Sequence, residues 1–162
     1  MFLVQNTNQY DINHIYFCDP IKNNIMNEGL FIRIIYSTPL FVLNGINLAI
    51  SLYDVNIEKY YNKYKCTFNI NNHKDIIENI KIIELELLKN INIYNKIPQY
   101  KVYDQLKNGN LKLFLDNTDK LYNIKNNVNN INNNLFMLKI SGIWETDTHY
   151  GLTYKFSKIN DI

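Results

Sequence analysis

The sequence contains little arginine, glycine, proline and cysteine. Arg33 is the sole arginine, and the 162 residues include 5 glycines, 3 prolines and 2 cysteines. Readout of base edges in duplex DNA usually relies on arginine, so this scarcity argues against sequence-specific duplex recognition. Cys18 and Cys66 lie far apart and fit no metal-ligand spacing. We expect both to be reduced, buried thiols.

Long apolar runs are also missing. No run approaches the roughly 20 residues that span a bilayer, and the start MFLVQNTNQYD lacks the basic region and apolar core of a signal peptide. We therefore expect an intracellular protein without membrane contact. The abundant Asn, Ile, Tyr and Lys have AT-rich codons, which is typical of a compact genome such as that of a virus. The net charge of +2 neither demands nor excludes a nucleic-acid partner.

Apolar and aromatic residues, by contrast, are plentiful. They make up 46% and 14% of the chain, which excludes a disordered protein and suits one domain with a sizeable core. Residues 1–29 are mixed and polar, and we expect an arm or a peripheral strand there. Residues 30–162 are expected to form a single domain. Its asparagine-rich stretch, residues 123–134, is predicted to be a surface loop.

Strand patterns dominate this domain. Crowded β-branched and aromatic residues, punctuated by an Asn-Gly hairpin signal, predict strands near residues 30–36, 40–44 and 46–53. Alternation further on predicts a half-buried strand with one face formed by Tyr64, Cys66, Phe68 and Ile70. Residues 100–116 return to strand character and contain a turn at 108–110. The chain therefore reads as mainly β.

One helix is predicted over residues 71–91, where isoleucine and leucine recur at helical spacing. Asn71 or Asn72 can cap it, and Pro98 excludes its continuation. Because no βαβ alternation appears, a doubly wound sheet is disfavoured. The order of elements is compatible with a five-stranded barrel of the OB type and equally with other small α+β barrels.

Residues 136–156 read as two strands joined by a short turn. Parity places Leu138, Ile140, Gly142 and Trp144 on one apolar face. We expect a turn with an odd number of residues. A three-residue turn would set Trp144 opposite Leu152 and lay Tyr154 over Gly142, and a five-residue turn would keep the same parity. This register favours a core role for Trp144 over a base-stacking platform, and it directs Lys139 and Lys155 to the solvent or ligand side.

Catalytic patterns are weak. His14, His73 and His149 are isolated and are interpreted as solvated side chains. There is no nucleophile elbow, phosphate-binding glycine loop or zinc-protease motif. A two-metal nuclease needs clustered carboxylates, and Asp116 and Asp119 are better interpreted as turn caps. We predict no enzyme activity, metal or cofactor, and an accessory nuclease is the third-ranked hypothesis.

Two segments instead favour nucleic-acid binding. KYYNKYK, residues 59–65, has three lysines, three tyrosines and no acid. Residues 100–114 have three lysines and three aromatics against one aspartate. Single-strand binders combine a basic groove with aromatic stacking platforms. Ordinary strands with lysine-bearing faces would show the same pattern, so the residues alone leave both interpretations open.

Four segments together resemble OB-fold single-stranded DNA-binding proteins of large double-stranded DNA viruses. In order, they are STPLFVLNGINL, CTFNINNHKDIIENIKIIELELL, YDQLKNGNLKL and LKISGIWETDTHYGLTYKF. The resemblance covers roughly residues 30–158. It implies a role in replication or recombination inside an infected cell, binding single-stranded DNA or RNA with possible self-association. The site residues that it implies are Arg33, Tyr60, Tyr61, Lys63, Tyr64, Lys65, Lys107, Lys112, Lys139, Trp144, Tyr154 and Lys155.

A second class of function remains open beside this one. Tyrosine-rich strand faces also serve as protein interfaces. The alternative hypothesis is therefore a structural or interaction module, such as a virion or scaffold component, that does not bind nucleic acid.

Overall fold

A computed structural model describes residues 3–26, 28–113 and 134–159 of the chain. These residues are mainly β. The two α-helices among them are α1 (Lys74–Asn90) and α2 (Lys101–Lys107). The strands are β1 (Gln5–Asn6), β2 (Ile15–Phe17), β3 (Ile21–Lys22), β4 (Leu30–Ser37), β5 (Val42–Asn44), β6 (Ile46–Leu52), β7 (Asn56–Tyr60), β8 (Lys63–Thr67), β9 (Ile97–Gln99), β10 (Asn110–Leu113), β11 (Asn134–Glu145) and β12 (His149–Lys158).

The described strands form an open, mixed sheet. Its main path runs β1-β6-β11-β12-β10-β8-β7, and β4 pairs with β11 while carrying β2, β3 and β5. The first and last strands of that path do not pair with each other in the described ranges. The prediction of a mainly β fold is therefore confirmed, whereas the closed OB-like barrel is not observed. Residues 134–140 of β11 pair with β6 and residues 142–145 with β4, so β11 has two different partners along one edge.

Helix α1 packs on one face of this sheet, which we call the inner face. Its buried apolar side chains are Ile77, Ile80, Ile83, Leu87 and Leu88. They share one core with residues of the central strands, including Leu138, Ile140 and Phe156. The apolar spacing of the sequence predicts this helix, and that prediction is confirmed. The opposite face of the sheet, which we call the outer face, carries the lysines described below.

The start of α1 differs from the prediction. Asn71 and Asn72 lie in a 3-10 turn, and His73 occupies the N-cap position. His73 is buried, and both of its ring nitrogens have backbone partners. Its Nε2 accepts a hydrogen bond from the Tyr53 backbone N–H at 3.1 Å, and its Nδ1 donates to the Asn69 carbonyl at 2.7 Å. The prediction of a solvated His73 is therefore wrong. Two backbone groups hold this ring in a structural role.

A second helix, α2, replaces the strand predicted from residue 100 onward. The carboxylate of Glu84 on α1 accepts hydrogen bonds from the backbone N–H groups of Val102 and Tyr103, at 3.1 and 2.8 Å. This side chain supplies the acceptors that the first turn of a helix lacks. Val102 and Leu106, four residues apart, are buried against α1 and the sheet. The predicted turn at 108–110 and the strand after it are confirmed.

The β11–β12 hairpin is confirmed, but its predicted register is wrong. Trp144 lies opposite Gly151, and Ile140 lies opposite Tyr154. A β-bulge between Ile140 and Gly142 inserts one extra residue into β11, which exchanges the two faces beyond it. Ile143 is therefore fully buried in the core, and Trp144 turns to the outer face.

The side chain that packs over Gly142 is also different from the predicted one. The ring of Phe31 on β4 lies over this glycine, and a Cβ there would come within 2.6 Å of the ring. Tyr154 instead faces inward with Ile140, on the other side of the bulge.

Several other predictions concern the cysteines, the membrane and residues outside the structure. Cys66 is a buried thiol, and burial raises the pKa of Cys66 to about 12, whereas Cys18 is half-buried and also unpaired. Across the described ranges, no helix is long and apolar enough to span a membrane. Asp116, Asp119 and residues 123–133 of the predicted loop lie outside the described residues.

Candidate nucleic-acid interface

Four lysines form a row across the outer face of the sheet. Lys65 on β8 lies opposite Lys112 on β10, and Lys139 on β11 lies opposite Lys155 on β12. The two pairs are joined because β10 and β12 are neighbours. Their parallel ladder pairs Leu113 with Phe156, both buried in the core. The lysine row is Lys65, Lys112, Lys155 and Lys139.

Alternation fixes the direction in which the row points. Lys112 and Lys155 each precede the buried Leu113–Phe156 pair by one residue, and successive side chains of a strand point to opposite faces. Neighbouring strands lie about 4.8 Å apart, so the row of four spans about 14 Å.

Repulsion between the lysines of the row destabilises the folded protein when no ligand is bound. Like charges directly opposite each other destabilise a sheet, and this row contains two such pairs. In the described part of the chain, the lysine ion pairs within 4.0 Å use Lys81, Lys96 and Lys107, none of which belongs to the row. Glu58 lies opposite Lys65 at one end of the row. Among the described residues, the row is therefore a strip of positive charge, with Lys65, Lys112 and Lys155 exposed and Lys139 half-buried.

The β7–β8 hairpin adds aromatic rings at the Lys65 end. A cleft of about 490 Å³ opens there. It is lined by Tyr60, Tyr61, Asn62, Lys63, Tyr64, Lys65, Asn110 and Lys112. Tyr60 and Tyr61 are 61% and 82% exposed. Their ring centroids lie 4.8 Å apart, edge to face, so the hairpin tip presents aromatic surface directly to solvent.

Arg33 lies on the same outer face, beyond Lys139. It is opposite Gly142 on β11, its Nη1 donates to the Asn44 Oδ1 at 2.7 Å, and its guanidinium carbon lies 5.8 Å from the centroid of the Phe31 ring. Arg33 is exposed. A further cation therefore continues the positive surface along β11.

Trp144 shares this face but is enclosed. It is 8% exposed. Its ring lies so close to Gly151 that a Cβ there would come within 2.8 Å, and the Lys101 Nζ lies 5.0 Å from the ring centroid. Trp144 thus belongs neither to the main core cluster nor to an open stacking surface.

The structure does not bring three of the predicted residues to this face. Lys107 lies on α2 and forms an ion pair with Asp104 at 2.7 Å. Tyr154 points inward, and its hydroxyl donates to the Gln105 Oε1 at 2.9 Å. Burial raises the pKa of Tyr154 to about 12. Tyr64 shares the inner face with Cys66 and is half-buried, although it borders the cleft.

Sequence reasoning missed two polar residues that border the cleft. Asn62 completes the hairpin loop, and Asn110 lies opposite Thr67 on β8. The pairing of β8 with β10 crosses more than forty residues of sequence. Neither segment carries a local signal for that pairing, so Asn110 could not be nominated.

Neither a metal site nor a similarity to a known protein helps to assign a function to this surface. No group of three or more His, Cys, Asp and Glu side chains is placed to hold a metal ion within the described ranges. Neither models of known protein families, nor curated proteins, nor solved structures match this chain.

Proposed function

We propose that this protein binds single-stranded DNA on the outer face of its sheet, without base-sequence preference, in viral DNA replication or recombination. The observation that carries the proposal is the lysine row, with its two directly opposed lysine pairs. A bound phosphate backbone relieves the repulsion between those charges. Phosphate contacts by lysine are tolerant of sequence, and the protein acts by binding and not by catalysis.

The single strand is the substrate that fits the rest of this face. Lysines on neighbouring strands offer phosphate contacts at close spacing, and exposed tyrosine rings beside them suit unstacked bases. Bases in a duplex are already stacked and offer no open face. Arg33, the one arginine, is engaged with Asn44, so base-edge readout of the kind seen in duplex recognition has little support.

A relationship to OB folds is part of the same proposal. Helix α1 lies between the strand pair β7–β8 and the strands β10, β11 and β12, which is the order that such folds use. Binding on the outer face requires the lysine row to be exposed and does not require the sheet to close.

A protein-interaction role is the second candidate, and one observation favours it. Leu40, two residues before the short strand β5, and Val42, the first residue of that strand, are 91% and 67% exposed. Exposed apolar side chains on a sheet edge suit contact with a protein partner or a second copy. Stable oligomers that have no affinity for DNA would support this candidate over the first.

Fluorescence anisotropy with labelled oligo(dT), at several salt concentrations, tests the proposal. Four phosphate contacts predict a slope of about −3 for the logarithm of the binding constant against the logarithm of salt concentration. The variant K65E/K112E should lower affinity for every base sequence and make that slope shallower by about 1.4.

The matched control is K22E/K74E, which makes the same change in net charge at two exposed lysines outside the row. It should bind far more like the wild type than K65E/K112E does. If the wild type does not bind oligo(dT) at low salt, the proposal is wrong. If both double variants lose affinity equally, the row is not the site.

A further inference from the structure

We propose that the tip of the β7–β8 hairpin is the base-binding part of the site. An unpaired base enters the cleft and stacks on Tyr61 and Tyr60, while Trp144 makes no contact with bases. This inference rests on the proposed function and deepens it, because it assigns phosphate binding and base binding to different residues.

The backbone of Tyr61 is the first observation behind this inference. Tyr60 pairs with Lys63, so Tyr61 and Asn62 form a two-residue loop. Of these two, Tyr61 has a positive φ of 53°. That sign pattern matches a type II′ turn, which prefers glycine at the first loop position. A bulky side chain in the left-handed region costs folding free energy.

The folded protein offers Tyr61 little in return. Its side chain is 82% exposed, and its ring contact among the described residues is with Tyr60. Glycine at this position would serve the turn better, and a more polar residue would suit the exposure better. A ligand that stacks on the ring gives a strained, exposed tyrosine a physical reason to be there.

The chemistry of the cleft is the second observation. Among the described residues, lysines, tyrosines and asparagines line it, and none of these lining residues is a carboxylate. Phenol rings provide stacking surface, asparagine amides can both donate and accept hydrogen bonds, and the cations suit the attached phosphate. The cleft volume of about 490 Å³ lies within the range of small-molecule sites, which suits an unpaired nucleotide.

The third observation is continuity between this cleft and the lysine row. Lys65 and Lys112 belong to both. A strand whose phosphates follow the row therefore delivers a base to the tyrosines at its end. The other aromatic candidate is closed, because Trp144 is only 8% exposed and its ring lies against Gly151 and Lys101.

The test compares oligo(dT) with an abasic deoxyribose-phosphate chain of the same length. The wild type should prefer oligo(dT) by about 5- to 150-fold per stacked base. Tyr61→Gly should lose most of that preference, retain its affinity for the abasic chain, and melt no lower than the wild type. Tyr60→Thr, which keeps a good strand former, should also reduce the preference and guards against a folding defect in the first variant.

Asp54→Gly is the matched control, since Asp54 has the same φ of 53° and lies outside the cleft. It should leave the preference unchanged. Salt-sensitive binding of both chains by the wild type, without preference for bases, would overturn the inference and leave the proposed function standing. Retention of the full preference by Tyr61→Gly would also overturn it. Binding of neither chain would overturn the proposed function itself.

Discussion

The two aromatic hairpins of this protein both combine aromatic residues with lysines, but their aromatic rings have opposite surroundings. In the β11–β12 hairpin, Trp144 is 8% exposed, and its ring lies close to Gly151 and Lys101. In the β7–β8 hairpin, Tyr61 is 82% exposed at the tip. Both hairpins also place lysines on the outer face. We infer that an aromatic residue in a basic strand is a candidate for base stacking only where no other part of the protein covers its ring.

Removing the enclosed ring should have the largest effect on the protein. Trp144→Ala should lower the free energy of unfolding by about 3 kcal/mol or more, because a large buried ring leaves a cavity. Urea denaturation measures this. The folded fraction should keep its affinity for oligo(dT) within about twofold, as no base contact is lost. A stable variant with much weaker binding would show that Trp144 belongs to the site.

The inner face should make the stability of the protein depend on pH. Burial raises the pKa of Glu84 from 4.5 to about 7, and the nearby Asp104 adds to the rise. The folded state therefore holds this proton more tightly than the unfolded state. The stabilisation from Glu84 is fully present below pH 4.5 and is lost as the pH rises through about 7. This changes the free energy of unfolding by on the order of 3 kcal/mol.

Glu84→Gln removes that titration and separates it from the outer face. Thermal unfolding of the wild type between pH 4.5 and 7 should lose stability from this group, and the variant should lack that loss. The same wild-type slope in Glu84→Gln would assign the pH dependence to other groups. Affinity for oligo(dT) at pH 7 should be equal in the two proteins, since Glu84 lies on the inner side.

The lysines of the β11–β12 hairpin should matter even though its tryptophan does not. K139E/K155E should weaken oligo(dT) binding by about 10- to 100-fold, or about 1.4 to 2.7 kcal/mol, because two phosphate contacts become repulsive. A salt titration by anisotropy measures it, with K22E/K74E as the control. Unchanged affinity would exclude Lys139 and Lys155 from the site and confine it to the β7–β8 end of the row.

The smallest expected effect is on the stability of the exposed tip. Tyr61→Gly should stabilise the fold by up to about 1 kcal/mol, since relief of the left-handed backbone slightly exceeds the added chain entropy. Differential scanning calorimetry beside Asp54→Gly measures the difference. A clear loss of stability in Tyr61→Gly alone would mean that the tyrosine supports the hairpin.

Local periodicity explains what was predictable from the sequence. Apolar spacing predicted α1, and alternation predicted both the β11–β12 hairpin and the core face that contains Cys66 and Phe68. Each of these signals lies within one element. The lysines of the row were likewise nominated, but among twelve residues and without any order.

Long-range pairing explains what was not predictable. The bulge near Ser141 occurs where β11 changes its partner from β6 to β4. Gly142 is a local sign of an irregular strand, but the change of partner is not visible in the local sequence. Helix α2 depends on hydrogen bonds to the carboxylate of Glu84, which lies 18 and 19 residues before the two donors. The row depends on three separate ladders that join β8, β10, β12 and β11.

The central claim is that single-stranded DNA lies along the lysine row. Lysine acetylation of the wild-type protein, measured by mass spectrometry with and without saturating oligo(dT), tests this claim. We expect protection of Lys65, Lys112, Lys139 and Lys155, with Lys22 and Lys74 reacting equally in both samples. Binding without protection of the row, or protection confined to lysines outside it, would contradict that claim.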